Sequence, residues 1–245
     1  MKKIVANLKM NLDNSQIKEY LIKLIGKNLK NRVIVCPSFT SLSLANFFLK
    51  DNQMIDLGAQ NICDEEEGKC TGEVSGKMLK ACGVEYVIVG HSERRSKFRE
   101  SGKSINKKIK VALKNKIKVI LCVGEQLAER NLGKAEEVVK TQLLEGFKGL
   151  YENELENIII AYEPVWAIGT GKLPQIKDVE NIVKFIRKVV CEEFSPKSEK
   201  IEVLYGGSID VKNCSSYAKI KGINGLLVGG ASLDVDNLTS IAKSI

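Results

Sequence analysis

Eight short apolar runs recur along this chain of 245 residues. They are IVANLKM, RVIVCP, MIDLGAQN, EYVIVGH, KVILCVGE, NIIIAYEPVW, IEVLYGGS and GLLVGGAS. Each is short enough for a strand and too continuously apolar for a strand with one wet face. Such runs suit parallel strands buried on both faces. Between them lie stretches with helical spacing. SQIKEYLIKLIGKNL puts Ile17, Leu21, Leu24 and Ile25 on one stripe, and EEVVKTQLLEGF and DVENIVKFIRKVV follow the same period. Ser15, Ser104 and Asp178 stand where helix N-caps are expected. Strand and helix alternating without hairpins predicts an α/β fold with a parallel sheet. An open doubly wound sheet and a closed barrel both use that rhythm. Eight repeats in a chain of roughly 250 residues fit the barrel, an eight-stranded parallel (β/α)8 unit in one domain over residues 1–245.

The position of the polar residues favours the same architecture. Asn7 and Lys9, Gln60 and Asn61, His91, Gly124 and Glu125, Glu163, Gly206 to Ser208, and Gly229 with Gly230 all follow the carboxyl ends of the runs. A barrel brings these ends together on one face, where sites of this fold lie. An open sheet would spread them along a line.

Composition narrows the partners. The net charge of +8 favours anionic ligands, but charged residues are spread over the whole chain. The densest basic stretch, SINKKIKVALKNKIK, has helical spacing and no interleaved aromatics; it reads as a solvated helix face rather than a nucleic-acid surface. Seven cysteines, an odd number without a CxxC pair, argue against a disulfide framework or a zinc site and for a reducing cytoplasm. No apolar run reaches membrane-spanning length, and MKKIVANLKMN lacks a sustained apolar leader core.

Four features could carry chemistry. In AYEPVWAIGTGKLP, Glu163 ends a strand and Pro164 keeps it extended. The stiff start and the glycines at 169 and 171 suit a lid, although an ordinary βα loop with a surface carboxylate would look alike. GTGK is no nucleotide loop: Trp166 and Leu173 occupy the places a phosphate-binding P-loop needs filled by Gly and by Ser or Thr, and Pro174 breaks a GxGxxG pattern. YGGS and VGGAS follow the seventh and eighth runs, where phosphate sites of such barrels lie, though paired glycines also make tight turns. Asn7 and Lys9, two residues apart, are expected to point to the same side of their strand, into the barrel mouth. His91, the only histidine, is either a satisfied structural side chain or the polar centre of a site.

IVANLKMN, GAQN, CTGE, VIVGHSERR, CVGE, AYEPVWAIGTGK, LYGGS and GLLVGGASL occur in an order that resembles the triosephosphate isomerase family across essentially the whole chain. The resemblance implies a TIM barrel and an aldose–ketose isomerase of glycolysis and gluconeogenesis. Its substrates would be glycerone phosphate and glyceraldehyde 3-phosphate, with no cofactor and no metal. It implies Glu163 as base, His91 as a neutral electrophile, Lys9 as the cation facing the enediolate, Asn7 as its neighbour and Glu93 as an assisting carboxylate. Gly169, Ser208, Gly229 and Gly230 would cradle the phosphate. A homodimer is implied, with the loop around Thr71 entering a partner subunit.

Two departures stand out. The family usually has Thr-Ala after the position of Lys172, where this chain has Leu173-Pro174. Its lid closes partly through a tyrosine, matching Tyr205, that accepts from the backbone N–H at the position of Pro174. Proline has no N–H, so that latch is expected to be absent or relocated. In NICDEEEGKCTGE the usual apolar-small pair before Thr71 is Lys69-Cys70, and the acidic run 64–67 is expected to be solvated.

Overall fold

The computed structural model describes residues 1–195 and 200–245. Its eight strands are β1 (Lys3–Asn7), β2 (Arg32–Cys36), β3 (Ile55–Ala59), β4 (Tyr86–Val89), β5 (Lys118–Val123), β6 (Ile158–Tyr162), β7 (Glu202–Tyr205) and β8 (Gly225–Val228). They pair in parallel in chain order, and β1 closes on β8 through Lys3↔Gly225 to Ala6↔Val228. The sheet is a closed single-domain barrel, one strand from each apolar run. The helices around it are α1 (Asn14–Ile25), α2 (Leu42–Leu49), α3 (Gly76–Ala81), α4 (Ser92–Lys97), α5 (Gly102–Lys114), α6 (Leu127–Asn131), α7 (Ala135–Gly146), α8 (Ile176–Glu193), α9 (Cys214–Ala218) and α10 (Val235–Ser244).

Alternation along the strands divides the apolar residues into two cores. Val5, Ile34, Ile88, Ile120, Ile159, Leu204 and Leu227 fill the barrel interior. Their neighbours Ile4, Val33, Val87, Val119, Ile160, Val203 and Leu226 face the helices. Both faces are buried, which is why the runs show no alternating polarity. The interior is tight at β3: a Cβ on Gly58 would come within 2.4 Å of Cys36 Sγ.

The inward parity runs past the strand ends and builds the mouth. Two residues beyond Val5, Cys122, Ala161, Leu204 and Leu227 stand Asn7, Gly124, Glu163, Gly206 and Gly229. Backbones approach closely there. A Cβ on Gly124 would lie 1.8 Å from the Glu163 carbonyl oxygen.

Several local expectations need correction. Helix α1 is capped by Asp13, not Ser15. Its carboxylate accepts from Gln16 N–H at 3.0 Å and the Gln16 side chain accepts from Asp13 N–H at 2.9 Å, a reciprocal box no serine inside the helix can form. Helix α5 is capped by Ser101, with Ser104 in its first turn. Helix α8 starts after Gln175, and Asp178 lies in its first turn. On α1 the buried stripe is Ile17, Tyr20, Leu21 and Leu24, and Ile25 is exposed. Tyr20 satisfies its buried hydroxyl by donating to the Ser232 carbonyl at 2.8 Å.

The basic helix face departs from the sequence expectation at one residue. Lys108 is buried, its ammonium held by Glu100 and by Asn61. The acidic run is solvated as expected at Glu65, Glu66 and Glu67, and its carboxylates are also paired. Ser104 donates to Asp64, Lys107 and Lys114 pair with Glu65 and Glu66, and Lys77 pairs with Glu67.

Candidate active site

A cavity of about 260 Å³ opens at the carboxyl ends of the strands. Asn7, Lys9, His91, Glu163, Gly169, Ser208, Gly229 and Gly230 all line it. Glu93 does not; it stands behind Lys9 and bonds its ammonium at 2.6 Å.

Lys9 reaches the wall by a route other than strand alternation. Strand β1 ends at Asn7, and Lys9 adopts φ of 52°, the left-handed region uncommon for a side-chain-bearing residue. Its surroundings fix that conformation. Its N–H donates to Asn7 Oδ1 at 3.1 Å, and its carbonyl accepts from Gln60 Nε2 at 2.8 Å. Partial burial pushes the Glu93 carboxyl up, but the Lys9 hydrogen bond and charge, with His91 and Lys97, bring it below the ordinary carboxylate value.

His91 is off the inward parity of β4. Gly90, at φ of 71°, turns the chain and makes His91 the N-cap of α4. Its Nδ1 accepts from Glu93 N–H at 3.2 Å. That bond needs an unprotonated Nδ1, so a neutral ring carries its hydrogen on Nε2. Nε2 points at Glu163 Oε1, 3.2 Å away. The other Glu163 oxygen accepts from Ser92 N–H at 3.2 Å. The carboxylate is nearly sealed, at 2% exposure. Burial, with Glu163 beside it, also pushes the Cys122 thiol well above its ordinary value.

Two cradles follow the late strands, and their glycines differ. A Cβ on Gly207 would strike the Tyr205 hydroxyl at 2.1 Å, whereas one on Gly230 would meet nothing within 4 Å. Gly207 is therefore explained by packing alone, while Gly230 keeps open space beside the cavity. Ser208 Oγ bridges to the loop after β6, donating to the Ala167 carbonyl and accepting from Gly169 N–H at 3.2 Å.

The sequence matches the family described as "Triosephosphate isomerase" over residues 2–245. A curated triosephosphate isomerase of Dictyoglomus thermophilum is 45% identical over 246 residues, covering 98% of both chains. Those of Natranaerobius thermophilus and Caldanaerobacter subterraneus subsp. tengcongensis are 44% and 43% identical, covering 94% and 98% of this chain and 90% and 98% of theirs. The chain belongs to the triosephosphate isomerase family. It is an isomerase by that membership.

Within this family member, the partners of some site residues leave no signal in the sequence. Glu125, fully buried, collects Tyr162 Oη at 3.1 Å, Trp166 Nε1 at 2.8 Å and Arg130 at 3.4 Å. The Arg130 guanidinium also covers the Trp166 ring at 4.7 Å. Glu125 stands out at the end of CVGE, but its partners come from two other segments, AYEPVW and α6. Arg95 braces the turn at His91 by donating to the carbonyls of Gly90 and Cys122. Tyr205 makes no hydrogen bond to the loop; its buried hydroxyl lies beside the Tyr217 side chain. The Pro174 carbonyl instead accepts from Tyr217 at 2.8 Å. A second cavity of about 290 Å³ lies at the opposite end, near Lys3, Tyr86, Lys118 and Ile201, and has no comparable acid–imidazole pair.

Proposed function

We propose that this chain interconverts glycerone phosphate and D-glyceraldehyde 3-phosphate through an enediolate, in glycolysis and gluconeogenesis, with residues 1–245 acting as one catalytic domain. The observation that carries the assignment of roles is the pairing of Glu163 with His91 Nε2 on a wall shared with the Lys9 ammonium. A carbon acid beside a carbonyl is too weak for an unaided carboxylate. Glu163 removes that proton, while His91, a neutral donor through Nε2, polarises the carbonyl and passes protons between the two oxygens. Lys9 faces the negative charge that develops, with Asn7 fixing the Lys9 backbone and Glu93 its ammonium. Preorganised donors of this kind are worth about 3 kcal/mol each at the transition state. Gly169, Ser208, Gly229 and Gly230 hold the phosphate, mainly through backbone N–H groups, and closure of the loop over it excludes water and limits phosphate loss from the enediolate.

No cofactor or metal enters this scheme. Seven free cysteines fit the cytoplasm. A homodimer, with the exposed Thr71 loop reaching a partner, is supported by the apolar side chains of Met10 and Met78 left in water. Sedimentation at low concentration tests it: a fully active monomer would refute the dimer.

The decisive variant is Glu163→Gln, in which the amide cannot take the proton. In a coupled assay on glyceraldehyde 3-phosphate, kcat should drop about 10²- to 10⁴-fold. Comparable rates for the two proteins would sink the assignment of the base.

A further inference from the structure

The loop after β6 is fastened at both ends. At its near end Trp166 donates to Glu125 at 2.8 Å and Ala167 is held by Ser208. Residues 169–173 are exposed. At the far end Pro174 is buried again, one residue before the N-cap of α8. Among the described residues, the only side-chain bond to it comes from the Tyr217 hydroxyl, 2.8 Å from its carbonyl. Tyr217 sits on α9, and its ring stacks on Tyr205 with centroids 4.3 Å apart and planes 15° from parallel. Tyr205 in turn ends β7, so the bond ties the loop's far hinge to the barrel wall through a rigid aromatic pair.

We propose that Tyr217 is a positioning residue for the isomerisation, its hydroxyl fixing the pivot on which the lid closes. The proposal rests on the reading of this loop as a lid over a triose phosphate. Pro174 offers no N–H, so its carbonyl is the group through which this hinge residue can be held. A buried carbonyl stripped of its donor is free to wander, and the glycines at 169 and 171 pass that freedom along the lid. A lid that closes off register exposes the enediolate, whose phosphate is then lost by elimination.

Tyr217→Phe keeps the ring stack and removes the hydroxyl; Tyr205→Phe is the comparison, because it also keeps the stack but leaves the Tyr217–Pro174 bond in place. Trypsin cleavage after Lys172 reads the lid without any substrate. It should quicken several-fold in Tyr217→Phe relative to other cleavage sites, and by a smaller factor in Tyr205→Phe, which keeps the bond to Pro174. With glyceraldehyde 3-phosphate, Tyr217→Phe should lower kcat several-fold with KM within twofold, and release more inorganic phosphate per turnover. Wild-type behaviour of Tyr217→Phe in either assay overturns the proposal, as does an equal effect of both substitutions. Failure of the triose phosphate reading would show differently, as an unchanged rate in Glu163→Gln.

Discussion

Glycines that look equivalent in sequence have different physical reasons at this site. Gly207 has no room for a side chain, since an added Cβ meets the Tyr205 hydroxyl at 2.1 Å and its ring carbon Cζ at 2.5 Å. Gly207→Ala should therefore destabilise the fold by roughly 1–3 kcal/mol, the usual range for overpacking, as read by urea unfolding. Gly230→Ala meets no such wall. It should leave the unfolding midpoint in place and raise KM for the phosphate substrate. Equal stability losses in the two would refute the distinction. The pair GG is therefore readable as a tight place but not as a binding place, because clearance depends on side chains far along the chain. Lys9 teaches the same lesson. Its arrival in the mouth follows from the strand pattern only by coincidence, since the left-handed turn that aims it is set by Asn7 and Gln60.

At the scale of elements, strands were easier to read than helix ends. A strand buried on both faces leaves a continuous apolar run, and nothing else in this chain produces eight of them. Helix starts are ambiguous wherever several capping residues stand close together, as Asp13, Asn14 and Ser15 do; the choice falls to the residue whose N3 partner can answer back. Charge pairs between elements left no local signal at all. Asp236, in the first turn of α10, takes the Lys23 and Lys27 ammonium groups of the α1 region at 2.7 and 2.8 Å. Hydrogen bonds from these two lysines lower its carboxyl to about 2. The folded value lies below the unfolded one of roughly 3.9, so its stabilisation is complete above the latter and fades as pH falls toward the former. Thermal midpoints of wild type and Asp236→Asn should differ at neutral pH, draw together as pH falls below about 4 and meet below about pH 2. A gap as wide at pH 2 as at neutral pH would mean the charge pairs are not its source. Because these groups are exposed, added salt should narrow the gap as well.

The whole molecule gathers what the sequence scatters. Eight strand ends meet on one face of a chain whose net charge is +8, and an ammonium stands on the wall of the cavity there. For an anionic substrate, kcat/KM should fall as ionic strength rises from about 0.01 M to about 0.15 M, where the screening length shrinks from roughly 30 to 8 Å. The change should appear in KM with kcat constant; salt-independent kcat/KM would count against electrostatic steering. The barrel was readable because periodicity is local. The partners of Glu125 and the hold on Pro174 were not, because each joins segments that only the closed barrel brings together.

The proposed phosphate cradle has a consequence for resistance to inhibitors. Its grip would come from main-chain N–H groups at Gly169, Gly229 and Gly230; a side chain added there, as in Gly230→Ala, keeps the donor and crowds substrate and mimic alike. A chain that recognises its ligand through its own backbone has few point mutations by which to escape a mimic of that ligand. Escape would have to move the loops themselves, and those loops hang from a barrel whose inner glycines, Gly58 and Gly124 among them, leave their neighbours no slack.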